Sequence, residues 1–218
     1  MFARRMNGDG TITRIDEHLL VCVGGVGATR ARSAAQCLVA NGASALLSWG
    51  VCGGLVTGLE PGSLLVPGAI IDADGTALPV SGAWRARLDN VSSLDVRAIA
   101  ETRSLLVTPA QKQALARSRH AVAADMESAA VARLAHQARV PFLAVRAVAD
   151  DCAMFVPAWL TSCTDARGRI ELSSFGSELL RHPRDVARLP RLMRGFTAAL
   201  AALRRFREQR LQQLLLTS

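Results

Sequence analysis

Pro141-Phe142-Leu143-Ala144-Val145-Arg146-Ala147-Val148-Ala149-Asp150 is the stretch that decides the fold of this chain. A proline opens it, residues 142–148 are apolar except for Arg146, and Asp150 and Asp151 stand at its end. A short apolar run bounded by a breaker reads as a strand covered on both faces. Just before it, residues 123–138 read as a helix, with Met126, Ala130, Leu134 and Ala138 on one stripe, and Pro141 stops that helix. A helix leading into a buried strand is the repeating unit of an α/β sheet.

Working outward, the same alternation recurs. Residues 19–23 read as a buried strand ending in Gly24-Gly25-Val26-Gly27, and residues 28–40 as the helix that follows. Residues 45–49 read as a second strand, ending in the glycine-rich turn Gly50-Val51-Cys52-Gly53-Gly54. Residues 64–72 are a third, with Pro67 marking an edge or a bulge, and residues 104–107 a fourth. Thr108-Pro109 reads as an N-cap followed by proline at the first helical position. The expected architecture is one α/β domain with a central mixed β-sheet flanked by helices. Residues 1–158 form its α/β part, and residues 159–218 a helical, basic C-terminal extension of the same domain.

In open α/β sheets ligands sit beyond the carboxyl ends of the strands. Here those ends carry two glycine clusters and an acidic pair. Glycine lets backbone approach a ligand, and free N–H groups there can hold an anion. This layout alone points to an enzyme or a nucleotide binder. Gly25 and Gly27 are candidates for an anion or phosphate loop. That loop lacks the full G-x-G-x-x-G spacing and the P-loop lysine, so a plain strand-to-helix turn explains it equally well.

Composition narrows the classes. The chain has 218 residues, half of them hydrophobic, which suits one domain with a substantial core and excludes global disorder. The net charge of +8 is almost all arginine, since Lys112 is the sole lysine. A GC-rich coding bias accounts for that without any function. Nine arginines and two acids, Asp185 and Glu208, lie between Arg181 and Arg210. Such a tail can meet nucleic acid, an anionic membrane or nothing; the expectation is no nucleic acid. Five cysteines without a CxxC pair argue against a disulfide framework or a zinc site. No cofactor and no metal are expected. There is no signal-like h-region and no apolar stretch long enough for a membrane span, so a cytoplasmic protein is expected, with peripheral contact to the inner membrane left open. Leu189, Leu192, Met193, Phe196, Leu200, Leu203 and Phe206 fall on one face of a tail helix. That face either packs on its own domain or touches an anionic bilayer.

Asp125-Met126-Glu127-Ser128, the Arg146-to-Asp150 strand end and the glycine-rich segment 50–55, in this order, resemble the nucleoside phosphorylase and methylthioadenosine/S-adenosylhomocysteine nucleosidase superfamily. The resemblance spans residues 19–151. It implies a homo-oligomer that cleaves the N-glycosidic bond of a purine nucleoside. Asp150 would be the catalytic acid. Glu127 would hold the ribose hydroxyls, with Met126 against the sugar. Val51, Cys52, Gly53 and Thr108 complete the expected substrate contacts. The chemistry suits these residue types, because bond cleavage leaves positive charge on the sugar and negative charge on the base. A carboxylic acid near N7 can protonate the leaving base, provided burial raises its pKa from about 3.9. Taken one by one, Asp125 reads as a helix-dipole acid, Asp150 as a turn former and Arg146 as a structural ion-pair partner.

The Asp-Ala-Arg-Gly-Arg-Ile turn at residues 165–170, the Arg/Leu tail and residues 105–112 resemble the hopanoid-associated branch of that superfamily. This implies release of adenine from a lipid-linked nucleoside, adenosylhopane. An ordinary methylthioadenosine/S-adenosylhomocysteine nucleosidase, a general purine nucleoside phosphorylase, or an inactive nucleoside- or lipid-binding relative are the other readings. Two departures stand out. The family's first strand and its water-activating acid have no convincing counterpart, since Asp16-Glu17 precedes the wrong strand. Either the start is internal or the protein works without that acid. Val51 stands where relatives commonly carry a hydroxyl, which weakens a phosphate site without deciding between water and phosphate.

Overall fold

The computed structural model describes residues 11–88, 94–161, 177–178 and 180–215. The first half contains β1 (Ile12–Arg14), β2 (Leu20–Cys22), α1 (Ala28–Ala40), β3 (Leu46–Gly54), β4 (Leu64–Leu65), β5 (Ala69–Ile71), β6 (Ala77–Pro79) and α2 (Gly82–Ala86). There follow β7 (Ile99–Glu101), α3 (Pro109–Arg119), β8 (Ala123–Asp125), α4 (Ser128–Ala138), β9 (Phe142–Asp150), a 3-10 turn at Ala158–Thr161, α5 (Pro183–Val186) and α6 (Leu189–Leu215).

The central sheet is mixed and runs β4-β9-β3-β8-β7-β5-β6, while β1 and β2 form a separate antiparallel pair. β9 is its axis. All of its residues are buried except Asp150, which is half-buried at the carboxyl end. β3 lies parallel to β9 from Leu46↔Phe142 to Cys52↔Val148, and an irregularity after Cys52 sets Gly53 opposite Asp150. A bulge of this kind re-aims side chains at the end of a pair.

Helices cover both faces. α1 and α4 pack on one, where Ala31, Ala35, Leu134 and Ala135 join Leu46, Phe142 and Val148 in the main core. α6 covers the other, with Ala199, Ala202, Leu203 and Phe206 against Leu143, Val145 and Ala147. Gly195 lets α6 approach closely, because a Cβ there would collide with the Ala149 carbonyl. The apolar stripe expected on the tail helix is divided. Leu203 and Phe206 are buried, whereas Met193, Phe196 and Leu200 remain exposed. The small residues Gly195, Ala199 and Ala202 make the contact instead. Among the described residues no helix is long and apolar enough to cross a membrane.

Several expected elements change. The glycine-rich segment is not a turn, because β3 continues through Gly54. Pairing with β9 on one side and with β8 at Gly53 and Gly54 carries the strand through its glycines. The third strand is interrupted at residues 66–68 and yields β4 and β5. The fourth lies earlier than residues 104–107, at β7, where Ile99 and Ala100 pair with both β5 and β8. The helix expected from residue 123 starts at Ser128, and residues 123–125 are β8. Alanine favours helix locally, but these three buried residues fill the slot between β7 and β3, and pairing there wins. Residues 165–170 lie outside the described residues.

Candidate active site

A cleft of about 420 Å³ opens between the Gly24–Val26 loop, β3, the start of α4 and the end of β9. That size suits a small organic ligand. Its lining includes Gly25, Val51, Cys52, Gly53, Met126, Glu127 and Asp150, together with Thr102, Leu105, Leu106 and Lys112.

Asp150 is aimed by its place as the last residue of β9 and by the bulge opposite it. A Cβ on Gly53 would lie 3.3 Å from Asp150 Oδ2 and 3.5 Å from Oδ1, so Gly53 leaves the carboxyl its room. On its other side Lys112 Nζ donates to Asp150 Oδ2. Lys112 is 1% exposed, and its ammonium also donates to the carbonyls of Asp151 at 2.7 Å and Met154 at 3.1 Å. Burial pushes the Asp150 carboxyl above its ordinary pKa. The charge and hydrogen bond of Lys112 pull the other way, and Asp151 adds to the rise.

Glu127 faces the cleft from the N-cap position of α4, where it makes no side-chain cap bond. Its Oε1 accepts the Gly27 N–H at 2.8 Å. Gly27, at φ 99°, thus presents its N–H to a carboxylate of the protein itself. Gly25 lines the cleft at φ 82°. Burial, then the charge of Asp125, raises the pKa of Glu127, against the Gly27 N–H and Arg146.

Asp125 is not a helix-dipole acid. It ends β8, buried, and accepts from Arg146 Nε, from Ser128 Oγ and from the Ser128 N–H at 3.0 Å. The Arg146 Nη2 group donates to Ser48 Oγ at 2.7 Å. Arg146 is therefore the buried ion-pair partner that supports the cleft from below, as its structural explanation has it. The buried pair is satisfied on both sides, which is the condition under which such a pair is tolerated.

The other expected contacts divide. Val51 lines the cleft with a partly buried side chain. Cys52 belongs to the core, and burial pushes its thiol well up, so it offers the cleft backbone rather than a nucleophile. Thr108 is not a lining residue. Its hydroxyl caps α3 by accepting the Gln111 N–H at 3.2 Å, in a capping box with Gln111. That cap aims α3 so that Lys112, one turn on, reaches Asp150. The role of Lys112 was not legible in the motifs, although its standing as the sole lysine was a signal. Among the described residues no cluster of metal-ligating side chains occurs.

The phosphorylase superfamily model matches residues 2–103 and 97–170. No curated protein matches the chain. Solved structures with the same fold include the Helicobacter pylori 5′-methylthioadenosine/S-adenosylhomocysteine nucleosidase, at 19% identity and TM-score 0.61, covering 87% of this chain and 79% of that one. The Streptococcus pyogenes S-adenosylhomocysteine nucleosidase is 23% identical at TM-score 0.59, covering 65% and 70%. A futalosine hydrolase mutant of Helicobacter pylori is 21% identical at TM-score 0.58, covering 62% and 68%. These neighbours overturn the placement in a hopanoid-associated branch, since the fold is that of methylthioadenosine and S-adenosylhomocysteine nucleosidases. That placement rested on tail pattern, and tail pattern does not build the cleft. Two matched segments spanning the whole sheet and the cleft at its strand ends lead to one assignment: the chain belongs to the phosphorylase superfamily, whose enzymes cleave the N-glycosidic bond of nucleosides.

Proposed function

We propose that this chain releases adenine from a 5′-thio-substituted adenosine, of the methylthioadenosine or S-adenosylhomocysteine kind. The observation that carries this reading is Asp150, a carboxyl raised by burial at the carboxyl end of β9 and held at the cleft by Lys112. As the C1′–N9 bond breaks, its electron pair passes to the base, and Asp150 delivers its proton to N7. Glu127, across the cleft, accepts the ribose hydroxyls, and its carboxylate favours the cationic sugar. Water then adds to C1′ and loses a proton to solvent. Hydrolysis is favoured because both cations among the described cleft residues, Lys112 and Arg146, are already engaged by carboxyl groups of the protein, those of Asp150 and Asp125. Val51 adds no hydroxyl for a phosphate.

The test is base release from methylthioadenosine and S-adenosylhomocysteine, with and without inorganic phosphate. Free adenine with the free thioribose, unaffected by phosphate, is expected. A sugar 1-phosphate would replace water with phosphate as nucleophile. Binding of the nucleosides with no base release would make the chain a binder and refute the proposal.

A further inference from the structure

Lys112 is the most unusual charge in the molecule. It is a fully buried ammonium and the one fully buried residue of its helix, in a chain that elsewhere uses arginine for every other basic side chain except histidine. Its three N–H groups have three acceptors, two of them backbone carbonyls in the loop after β9 and the third Oδ2 of Asp150. An arginine fork is planar and could not converge three donors on this point. The other groups around Asp150 are few. Asp151 follows it and is turned away to Arg191 of α6 at 2.7 Å, while Cys52 and Gly53 of β3 lie alongside. Asp125 and Glu127 line the same cleft.

We infer that Lys112 is a positioning residue for base release, which pins one oxygen of the Asp150 carboxyl so that the other delivers the proton, and which then pairs with the carboxylate left behind. The inference rests on reading Asp150 as the acid. Oδ2 is held by the ammonium, so Oδ1 is the oxygen left for the base. When the proton leaves, the new negative charge forms beside a cation already in place, with no solvent reorganisation. The loop carbonyls of Asp151 and Met154 hold the cation there whether or not Asp150 is charged.

Lys112→Met removes the charge at similar length. Adenine release should fall about 10- to 100-fold in kcat at neutral pH, with KM changed by less than about threefold. The alkaline limb of kcat/KM should move up by about one pH unit or more, because the ammonium that favours the carboxylate is gone. Combined with Asp150→Asn, the Met variant should slow turnover no further. An unmoved limb, or a loss that follows only the folded fraction in near-UV circular dichroism, overturns the inference. If the Met variant does not fold, Lys112→Arg keeps the charge but not the contact. It should lower kcat by about fivefold or more with the limb within about 0.3 pH unit of wild type, and wild-type kcat would overturn the inference. Asp150→Asn separates the two readings. Wild-type turnover in that variant sinks the acid itself, whereas an inactive Asn variant beside an unmoved limb in Lys112→Met sinks only Lys112. Carboxyl NMR titration of Asp150 reads the same upward shift without any substrate.

Discussion

Gly53→Ala adds a single methyl group at the point where β3 faces the Asp150 carboxyl. The new Cβ would stand 3.3 Å from Asp150 Oδ2 and 3.5 Å from Oδ1, tighter than ordinary van der Waals contact for the nearer oxygen. Asp150 cannot slide freely to relieve it, because Lys112 holds Oδ2 from the other side. The carboxyl must move by a few tenths of an ångström. A misplacement of about 1 Å can lower a rate by roughly 10², so this shift should lower kcat by about three- to tenfold. Stability moves the other way. The backbone at Gly53 has no positive φ, so alanine is allowed there, and replacing glycine in a strand gains roughly 0.5–1 kcal/mol through the unfolded chain. The assay is steady-state adenine release beside thermal unfolding. A slower enzyme with an equal or higher Tm is expected. Wild-type kcat, or a loss of activity matched by a fall in Tm, would refute the steric coupling of Gly53 to Asp150.

Asp150→Asn should lower base release by about 10²- to 10⁴-fold while nucleoside affinity, measured by calorimetry, stays within a few-fold; wild-type turnover would remove Asp150 from the chemistry. Glu127→Gln should damage kcat more than affinity for free adenine, which has no ribose hydroxyls; equal losses would place Glu127 against the base. The same variant should raise Tm at neutral pH. Burial lifts the Glu127 pKa on folding, so wild-type stability is fullest below the ordinary carboxylate pKa and falls as pH rises through the raised folded value. Gln removes that loss, and its benefit should vanish in acid. Arg146→Met leaves Asp125 buried without its cation, and breaking such a pair should destabilise the fold by about 3–5 kcal/mol, read as a lower urea midpoint.

Much of this was legible along the chain. α1 coincides with residues 28–40 as read from the glycine loop and the alanine-rich pattern, and Thr108-Pro109 opens α3 as its side chain chemistry requires. The β9 strand was plain because a run of Phe, Leu and Val after a proline suits only a covered strand. Asp150 and Glu127 were marked by their order relative to that strand. What was misread shares one cause. Residues 123–125 and 50–54 are mostly alanine and glycine, which carry little signal of their own, and their state depends on which strand lies beside them. Thr108 caps α3 as its sequence position implies, and the substrate contact that the family resemblance added does not place it in the cleft lining.

By itself the sequence determined the class of fold, since apolar runs of strand length alternate with helical stripes and only a sheet with helices on both faces buries both. It also determined which carboxylates stand near strand ends. Only the tertiary structure decided what those carboxylates do to one another. Lys112 and Asp150 are far apart in the chain, as are Gly27 and Glu127, and both contacts arise where separate elements converge on the end of β9 and the start of α4. A carboxyl's pKa is set by burial and by charges a few ångströms away. Neither is a property of its neighbours along the chain.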